Sequence, residues 1–260
     1  MLRKLPGLAL AALLALGIAD GLAKESTKLR IGVEGAYPPF SEVSPEGELK
    51  GFDIDIARAL CDEMKVECEL VQQDWDGIIP ALLARKYDAI VASMSITEER
   101  KKSVDFTDKY YHTPAKFAAR KDSGIEISKE GLAGKKVGVQ RATIHDNYIT
   151  DNYGDTVEVV RYGSQDEAYL DLQAGRVDLL LADSMAIRDG FLDTEAGKDY
   201  AFVGPDLNDP RWFGEGVGIA LRKGDEELRQ MFNEAIKAIR EDGTYDEIAR
   251  KYFDFDIYGS

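Results

Sequence analysis

Two stretches of the chain repeat one pattern at an offset of 90 residues: 75-WDGIIPALLARKYDAIVASM-94 and 165-QDEAYLDLQAGRVDLLLADS-184. Each is typical of an amphipathic helix, a basic turn, an aspartate (Asp88 or Asp178) and a short buried strand that ends in polar residues. A fixed offset over twenty residues is unusual for unrelated segments. The repeat predicts two lobes built to one plan.

The rest of the chain alternates short apolar segments with amphipathic helical patterns. The segments predicted as strands are 29–34, 67–72, 87–93, 135–140, 156–162, 177–183 and 216–223. Two of them, LRIGVE and KKVGVQ, also repeat each other, which makes Glu34 and Gln140 counterparts. This alternation indicates an α/β protein with largely parallel, buried sheets.

Residues 1–23 have the features of a secretory signal peptide. Arg3 and Lys4 precede an apolar run of about fifteen residues, and small residues follow at the predicted cleavage site. A membrane anchor is the alternative, but the run is shorter than the roughly 18 to 20 residues that a spanning helix needs. We expect this segment to be removed and the mature protein to be exported to the periplasm.

The chain is acidic. Its formal net charge of −15 becomes −16 without residues 1–23, because that segment carries two positive charges and one negative charge. Such a surface repels nucleic acid and anionic lipid and mildly favours cationic solutes. The 44% hydrophobic content is enough to bury a core. A nucleic-acid partner is therefore not expected.

Cys61 and Cys68 lie between a predicted helix end and a predicted strand. In an exported protein, two cysteines this close favour a disulfide, although two buried thiols are the alternative. The remaining soft ligands are His112 and His145, which are too few for a Cys/His zinc site. No metal site is predicted.

Polar residues cluster where the predicted strands end. Ligands bind outside the carboxyl ends of strands in open parallel sheets. The polar residues at these ends are Glu34, Ser93 and Ser95 in one lobe and Gln140, Thr143 and Asp183 in the other. If the two lobes face each other, these side chains line one cleft.

The same residues suggest a small zwitterionic ligand. Arg100 has no acidic residue four positions away, so a bound carboxylate is one use for it and solvent exposure is the other. Backbone N–H groups where QRATIHD opens a helix suit the same carboxylate. Asp183 with the hydroxyls of Ser93 and Ser95 suits an α-ammonium, although Asp183 alternatively caps the following helix.

A second positive group on the ligand is also indicated. Glu34 remains as an unbalanced anion, and Tyr37 and Trp75 offer flat faces for an aliphatic stem or a guanidinium, with packing as the alternative. A dibasic amino acid satisfies the whole set. Asp53 and Asp55, in the first turn of a predicted helix, are interpreted as capping and dipole-compensating residues.

The ordered motifs of the chain carry a family resemblance. The motifs are RIGVEGAYPPF, GELKGFDIDIARALC, DAIVASMSITEERKKSVDFTDKYY, GKKVGVQRATIHD, GFLDTEAGKDYAFVGP and YFDFDIYG. In these the chain resembles the periplasmic polar amino-acid-binding proteins of ABC importers, especially the lysine/arginine/ornithine-, histidine- and arginine/ornithine-binding group. The resemblance extends over nearly all of the sequence after residue 23.

The resemblance implies a two-lobed periplasmic-binding-protein fold of type II, with two open parallel-type sheets joined by a two-segment hinge. Lobe 1 would comprise residues 24–111 and 216–260, and lobe 2 residues 112–215. The chain would cross between the lobes near 111–115 and 213–216. The resemblance also implies that Cys61 and Cys68 form a disulfide.

The ligand-binding positions implied by the resemblance are Glu34, Tyr37, Trp75, Ser93, Ser95, Arg100, Thr143, His145 and Asp183. In the family pattern Arg100, Ser95 and the Thr143 amide meet the ligand carboxylate, and Asp183 meets the ammonium together with the two serines. The stem lies between the two aromatic residues, and the distal group meets Glu34.

The chain departs from the family at three places: Ala92 stands where several relatives have serine, Glu34 where many have aspartate, and Thr143-Ile144-His145 where the histidine binders have Thr-Thr-Gln. In GVQRATIHD and at Trp75 it resembles the arginine/ornithine-binding group more closely, which favours arginine, with ornithine and lysine next, delivered by a monomeric receptor to ABC permease subunits. Histidine or an arginine conjugate is the alternative ligand, and a sensor is an alternative role. A dehydratase-like exported enzyme is the alternative class, but no nucleophile with a positioned base is visible, so no catalytic residue or cofactor is predicted.

Overall fold

The computed structural model describes residues 28–259, and the predicted signal peptide, residues 1–23, lies outside the described residues. The strands are β1 Lys28–Val33, β2 Ala36–Tyr37, β3 Ser41–Val43, β4 Leu49–Lys50, β5 Glu67–Gln72, β6 Ala89–Ile90, β7 Val104–Tyr111, β8 Ala115–Arg120, β9 Lys136–Gln140, β10 Glu158–Tyr162, β11 Leu179–Asp183, β12 Tyr200–Leu207 and β13 Val217–Arg222. The helices are α1 Phe52–Met64, α2 Trp75–Leu83, α3 Glu98–Lys101, α4 Ile144–Tyr153, α5 Gln165–Gln173, α6 Ser184–Ile187, α7 Pro210–Phe213, α8 Glu226–Glu241 and α9 Thr244–Ala249.

The strands form two five-stranded sheets with matching arrangements, and β2, β3 and β4 form a small third sheet. The first sheet has the order β5-β1-β6-β13-β7 and the second the order β10-β9-β11-β8-β12. In each, the first three strands are parallel and the last two are antiparallel to their neighbours. The two-lobed α/β prediction is confirmed, but the sheets are mixed rather than parallel.

One strand in each five-stranded sheet runs opposite to the others, β13 in the first and β8 in the second. Strand β13 was predicted, as 216–223, whereas β8 and the outer strands β7 and β12 were not. Strand β7 carries three charged residues, and β8 contains three alanines, which have low strand propensity. Strand β12 contains Gly204 and Pro205, which are ordinary turn signals. Conversely, the predicted strand 87–93 is reduced to Ala89–Ile90. Pairing with the neighbouring strands overrides these local preferences.

The 90-residue repeat corresponds to equivalent structure. Helices α2 and α5 have nine residues each and begin at the first residue of each repeat. Asp88 accepts a hydrogen bond from the Arg30 backbone N–H at 3.2 Å, and Asp178 accepts one from the Lys136 backbone N–H at 2.8 Å. Each aspartate therefore ties the strand that ends its repeat to the adjacent parallel strand, which confirms the prediction of one plan for both lobes.

Each sheet has a hydrophobic core on both faces. In the first lobe, α1, α8 and α9 pack on one face of the sheet and α2 packs on the other, with Leu60, Phe232 and Ile78 fully or almost fully buried. In the second lobe, α4 and α5 occupy opposite faces. Within residues 28–259, no helix has the length and apolar character needed to cross a membrane.

The chain passes twice between the two sheets. It leaves the first sheet after Tyr111 and enters the second at Ala115, and it leaves the second after Leu207 and returns to the first at Val217. Strand β13 therefore completes the first lobe late in the sequence, and α8 and α9 follow it there. This arrangement brings the strand ends of the two sheets toward each other.

Cys61 and Cys68 form the predicted disulfide. It joins the end of α1 to β5, which is the edge strand of the first sheet. For so short a loop, the loss of chain entropy in the unfolded state corresponds to about 2.5 kcal/mol. The bond is therefore a local brace for the lobe.

Replacing both cysteines with alanine is expected to lower the free energy of unfolding by about 2 kcal/mol, since this bond restricts the unfolded chain. Urea unfolding measures the effect, and the wild-type protein with a reductant provides the matched control. Ligand affinity should stay within a factor of two, because the bond lies at the outer edge of the sheet. An unchanged free energy of unfolding would contradict this account of the disulfide.

Candidate functional site

The carboxyl ends of the parallel strands of both sheets meet at one cleft. Two adjoining cavities occupy it, and they share Tyr37, Ser93, Ser95, Ile144 and His145. The first is also lined by Glu34, Trp75, Ala92, Arg100, Gln140 and Thr143, and the second by Thr113 and Asp183 among others. All nine residues predicted to bind ligand are therefore brought together.

Arg100 lies at the first cavity with its side chain held by neutral groups. Its Nη1 donates to the Ser95 carbonyl oxygen at 3.0 Å, and its guanidinium carbon lies 5.2 Å from the centroid of the Trp75 ring. Within the described part of the chain, no carboxylate forms an ion pair with it. Burial lowers the pKa of Arg100 to about 10, so the group is a cation at neutral pH. A cation held without a counter-ion can accept a bound carboxylate.

The N-terminus of α4 faces the same cavity, as predicted from QRATIHD. Thr143 is the N-cap: its Oγ1 accepts the Asp146 backbone N–H at 3.2 Å and donates to the Gln140 carbonyl oxygen at 2.7 Å. His145, in the first turn, is buried, and burial together with the Arg100 charge lowers its pKa to about 3. The imidazole is thus neutral and leaves Arg100 as the cationic group there.

Glu34 also lines this cavity and is buried. Only 5% of the residue is exposed, and burial raises the pKa of its carboxyl to about 7. The Gln140 Nε2 donates to Glu34 Oε1 at 2.5 Å and opposes that rise. The counterpart residues of the two lobes are therefore in direct contact across the cleft.

Asp183 ends β11 and lines the second cavity. Its Oδ1 accepts the backbone N–H groups of Met185 and Ala186 at 2.8 and 3.2 Å, so it caps α6, which was the alternative considered for it. The Thr113 hydroxyl donates to Oδ2. Burial raises the pKa of Asp183 to about 6, and the three hydrogen bonds oppose that rise. The Asp183 carboxylate therefore both caps α6 and lines the second cavity.

Asp53 corrects a prediction. It lies in the first turn of α1, but the helix has no side-chain cap, and Asp53 is fully buried. Its two oxygens accept the hydroxyls of Ser93 at 2.9 Å and Tyr110 at 2.7 Å. Asp55 instead accepts Lys251 Nζ at 3.1 Å. Tertiary partners therefore replace the predicted capping at both positions, whereas both carboxylates do lie in the first turn of α1, as dipole compensation requires.

Several contacts cross the cleft between the lobes. In addition to the Gln140–Glu34 hydrogen bond, Trp75 Nε1 donates to the Ala142 carbonyl oxygen at 3.2 Å, and Arg141 Nε pairs with Asp76 at 2.6 Å. Each of the two cavities has a volume of about 30 Å³, which is room for one or two water molecules. An amino acid can enter only when these contacts separate.

Two of the residues that shape the site were missed. Thr113 lies in the segment between β7 and β8 and was assigned only to the predicted hinge. Tyr110 belongs to a strand that was not predicted. No local pattern marks either residue, because each acts on a carboxylate distant in sequence. Within residues 28–259, no group of three or more His, Cys, Asp or Glu side chains is arranged to hold a metal ion.

Comparison with known proteins defines the class. The family model of the bacterial extracellular solute-binding proteins, family 3, matches residues 29–255. The L-arginine-binding protein of Pseudomonas aeruginosa is 58% identical over 233 residues, covering 89% of this chain and 90% of that protein. The lysine/arginine/ornithine-binding periplasmic protein of Escherichia coli is 43% identical over 255 residues, covering 95% and 98%.

Comparison with a solved structure leads to the same class of protein. A periplasmic binding protein of Salmonella typhimurium, described for its high arginine specificity, has a TM-score of 0.80 and 34% identity, covering 87% of this chain and 99% of that chain. The chain belongs to the bacterial extracellular solute-binding proteins, family 3. These relatives are named as binding proteins and not as enzymes.

Proposed function

We propose that the protein binds a basic L-amino acid, arginine before ornithine and lysine, in the cleft between its lobes. One observation carries this: among residues 28–259 no carboxylate pairs with the buried Arg100 cation, while two carboxylates, Glu34 and Asp183, line the same pair of cavities. A basic amino acid has one anion and two cations, which complements this set. The relatives named for arginine support the same ligand class.

Arg100, the Ser95 side chain and the Thr143 amide would hold the α-carboxylate. The guanidinium supplies charged donors, and the α4 N-terminus supplies backbone N–H groups where the helix dipole favours an anion. His145 lies in the first turn of α4, and its neutral imidazole adds no second charge. The α-ammonium would lie between Asp183 of one lobe and Ser93 and Ser95 of the other.

Glu34 would bind the distal cation, with Tyr37 and Trp75 beside the aliphatic stem. Both aromatic residues line the first cavity, and a guanidinium stacks well on such faces. The Gln140 amide now donates to the Glu34 oxygen that this cation would meet. Binding therefore exchanges a neutral donor on Glu34 for a charged donor, which is the stronger hydrogen bond in a buried site.

The lobes would open and close about the two crossing segments, near 111–115 and 213–216, with lobe 1 as 24–111 and 216–260 and lobe 2 as 112–215. Arg100 and Glu34 belong to one lobe, whereas Thr143 and Asp183 belong to the other. A ligand that touches both favours the closed form by its differential affinity for that form.

In this role the protein is a monomeric receptor of the periplasm, exported by residues 1–23 as a signal peptide, and delivers its ligand to the permease subunits of an ABC importer. The family description places its members outside the cytoplasm. An arginine conjugate remains the second ligand class, because Ala92 lines the first cavity with a methyl group where a serine would project a hydroxyl.

A thermal-unfolding panel tests the proposal. The protein without residues 1–23 is heated with arginine, ornithine, lysine, histidine, glutamine, glutamate and citrulline, the neutral isostere of arginine. A ligand at one hundred times its Kd stabilises the fold by about 2.7 kcal/mol, which raises Tm by roughly 5 to 10 °C in a chain of this size. Arginine is expected to give the largest shift.

Glu34→Gln provides the matched variant. It keeps the shape of the side chain and removes its charge. The variant is therefore expected to bind arginine only a few-fold more tightly than citrulline. If glutamine or glutamate gives the largest shift in the wild-type protein, the role assigned to Glu34 is wrong. If no amino acid shifts Tm, the proposed function fails and arginine conjugates are tested next.

A further inference from the structure

Asp53 lies beneath the cleft and has no role in the function proposed above. The residue is completely buried at the start of α1, below the end of strand β6. Its Oδ2 accepts the Ser93 hydroxyl at 2.9 Å, and its Oδ1 accepts the Tyr110 hydroxyl at 2.7 Å. Within the described residues no cation pairs with Asp53, and a buried carboxylate without a counter-ion is costly to maintain.

Ser93 is the link between this carboxylate and the cleft. It lines both cavities, and its backbone has a φ of 51°, in the left-handed region that non-glycine residues rarely adopt. A serine hydroxyl has one proton and two acceptor lone pairs. Because the proton is donated to Asp53, the group that Ser93 offers to the cleft is a hydrogen-bond acceptor.

We propose that Asp53 is a positioning residue for the α-ammonium subsite: it takes the Ser93 proton and so directs an acceptor lone pair of that hydroxyl toward the ammonium of the ligand. This inference rests on the proposed function. Asp53 itself touches no ligand, since Ser93 lies between them. Tyr110 holds the second carboxylate oxygen and prevents the group from turning.

The surroundings suit this role. The N-terminus of α1 favours a negative charge, and two hydroxyl donors stabilise the carboxylate further. Burial acts in the opposite direction and raises the pKa of Asp53 to about 7. Asp183 lines the second cavity together with Ser93, so a cation between them meets an acceptor on each side.

The test pairs one variant with two ligands. Titration calorimetry measures arginine and 5-guanidinopentanoic acid, which has the carboxylate and guanidinium of arginine but no α-ammonium. Asp53→Asn is expected to weaken arginine binding about tenfold or more, as expected for a hydrogen bond to a charged group, and to leave the Kd of the second ligand within a factor of two.

Ser93→Gly is the companion variant, because glycine adopts this backbone conformation without strain and removes the hydroxymethyl side chain. It should reproduce the selective loss of arginine, and adding Asp53→Asn to it should have no further effect. If Asp53→Asn does not fold, Tyr110→Phe, which frees the second Asp53 oxygen, is measured with the same two ligands and should weaken arginine binding selectively.

Equal weakening of both ligands by either variant overturns the inference, since Asp53 would then act on the fold alone. A further loss from Asp53→Asn in the Ser93→Gly background also overturns it. Failure of the wild-type protein to bind arginine is a separate result, which refutes the proposed function itself.

Discussion

Replacing Arg100 with alanine is expected to reduce the affinity for every α-amino acid by two to nearly four orders of magnitude. The ligand carboxylate would be left in a closed cleft without its charged donor, and removing one partner of a buried ion pair costs about 3 to 5 kcal/mol. Titration calorimetry with arginine and citrulline measures the loss, which should be equal for both because they share the α-carboxylate.

Two controls separate this effect from a general change in the cleft. Arg141 is also a cation at the cleft, but its side chain is half exposed and pairs with Asp76, so Arg141→Ala should change affinity only a few-fold. Arg100→Ala should remain folded, since a buried cation without a counter-ion adds little to stability. An affinity within tenfold of the wild type in Arg100→Ala would refute the carboxylate role.

The preference for arginine over citrulline is expected to fall about a hundredfold between pH 8 and pH 5. In the ligand-free protein the pKa of Glu34 is about 7, so the group is mostly a carboxylate at pH 8 and mostly protonated at pH 5. A bound guanidinium needs the carboxylate and lowers its pKa. Below pH 7, arginine binding therefore releases a proton from Glu34. As a result, the affinity for arginine falls by up to about tenfold for each unit by which the pH is lowered.

The ratio of the affinity for arginine to the affinity for citrulline reports the titration of Glu34 separately from that of the other carboxylates. Asp53 and Asp183, with pKa values of about 7 and about 6, adjoin the proposed ammonium subsite, which both ligands occupy in the same way. In Glu34→Gln the ratio should not vary with pH. A ratio that is constant with pH in the wild-type protein would show that Glu34 does not bind the distal group.

Much of the architecture was predictable because it depends on local periodicity. The sequence patterns of 75–94 and 165–184 are 90 residues apart, and so are the helices α2 and α5 that they form. The two lobes could therefore be predicted from the sequence. The rule that polar residues at the ends of parallel strands share one edge predicted a common cleft for six residues, all of which line the two cavities: Glu34, Ser93, Ser95, Gln140, Thr143 and Asp183. The Cys61–Cys68 disulfide was favoured by the short separation of the two cysteines and implied by the family resemblance, and the structure contains it.

Strands β7, β8 and β12 could not be predicted in the same way, because their charged residues, alanines, glycine and proline give weak or contrary strand signals. Their pairing partners are distant in sequence, and pairing supplies the free energy that local propensity lacks. The mixed sheets are therefore a result of tertiary structure.

Within the site, too, some features follow from the sequence and others only from the tertiary structure. The sequence was sufficient to bring the polar residues at the strand ends to one cleft, but it did not identify Thr113, which lies between β7 and β8 and lines the second cavity. Only the folded chain shows how they are paired: Ser93 with Asp53, Tyr110 with Asp53, Thr113 with Asp183, and Gln140 with Glu34, at sequence separations of 40, 57, 70 and 106 residues. Hydrogen bonds depend on distance in space and not along the chain, so the protonation and orientation of these groups were decided by the tertiary structure.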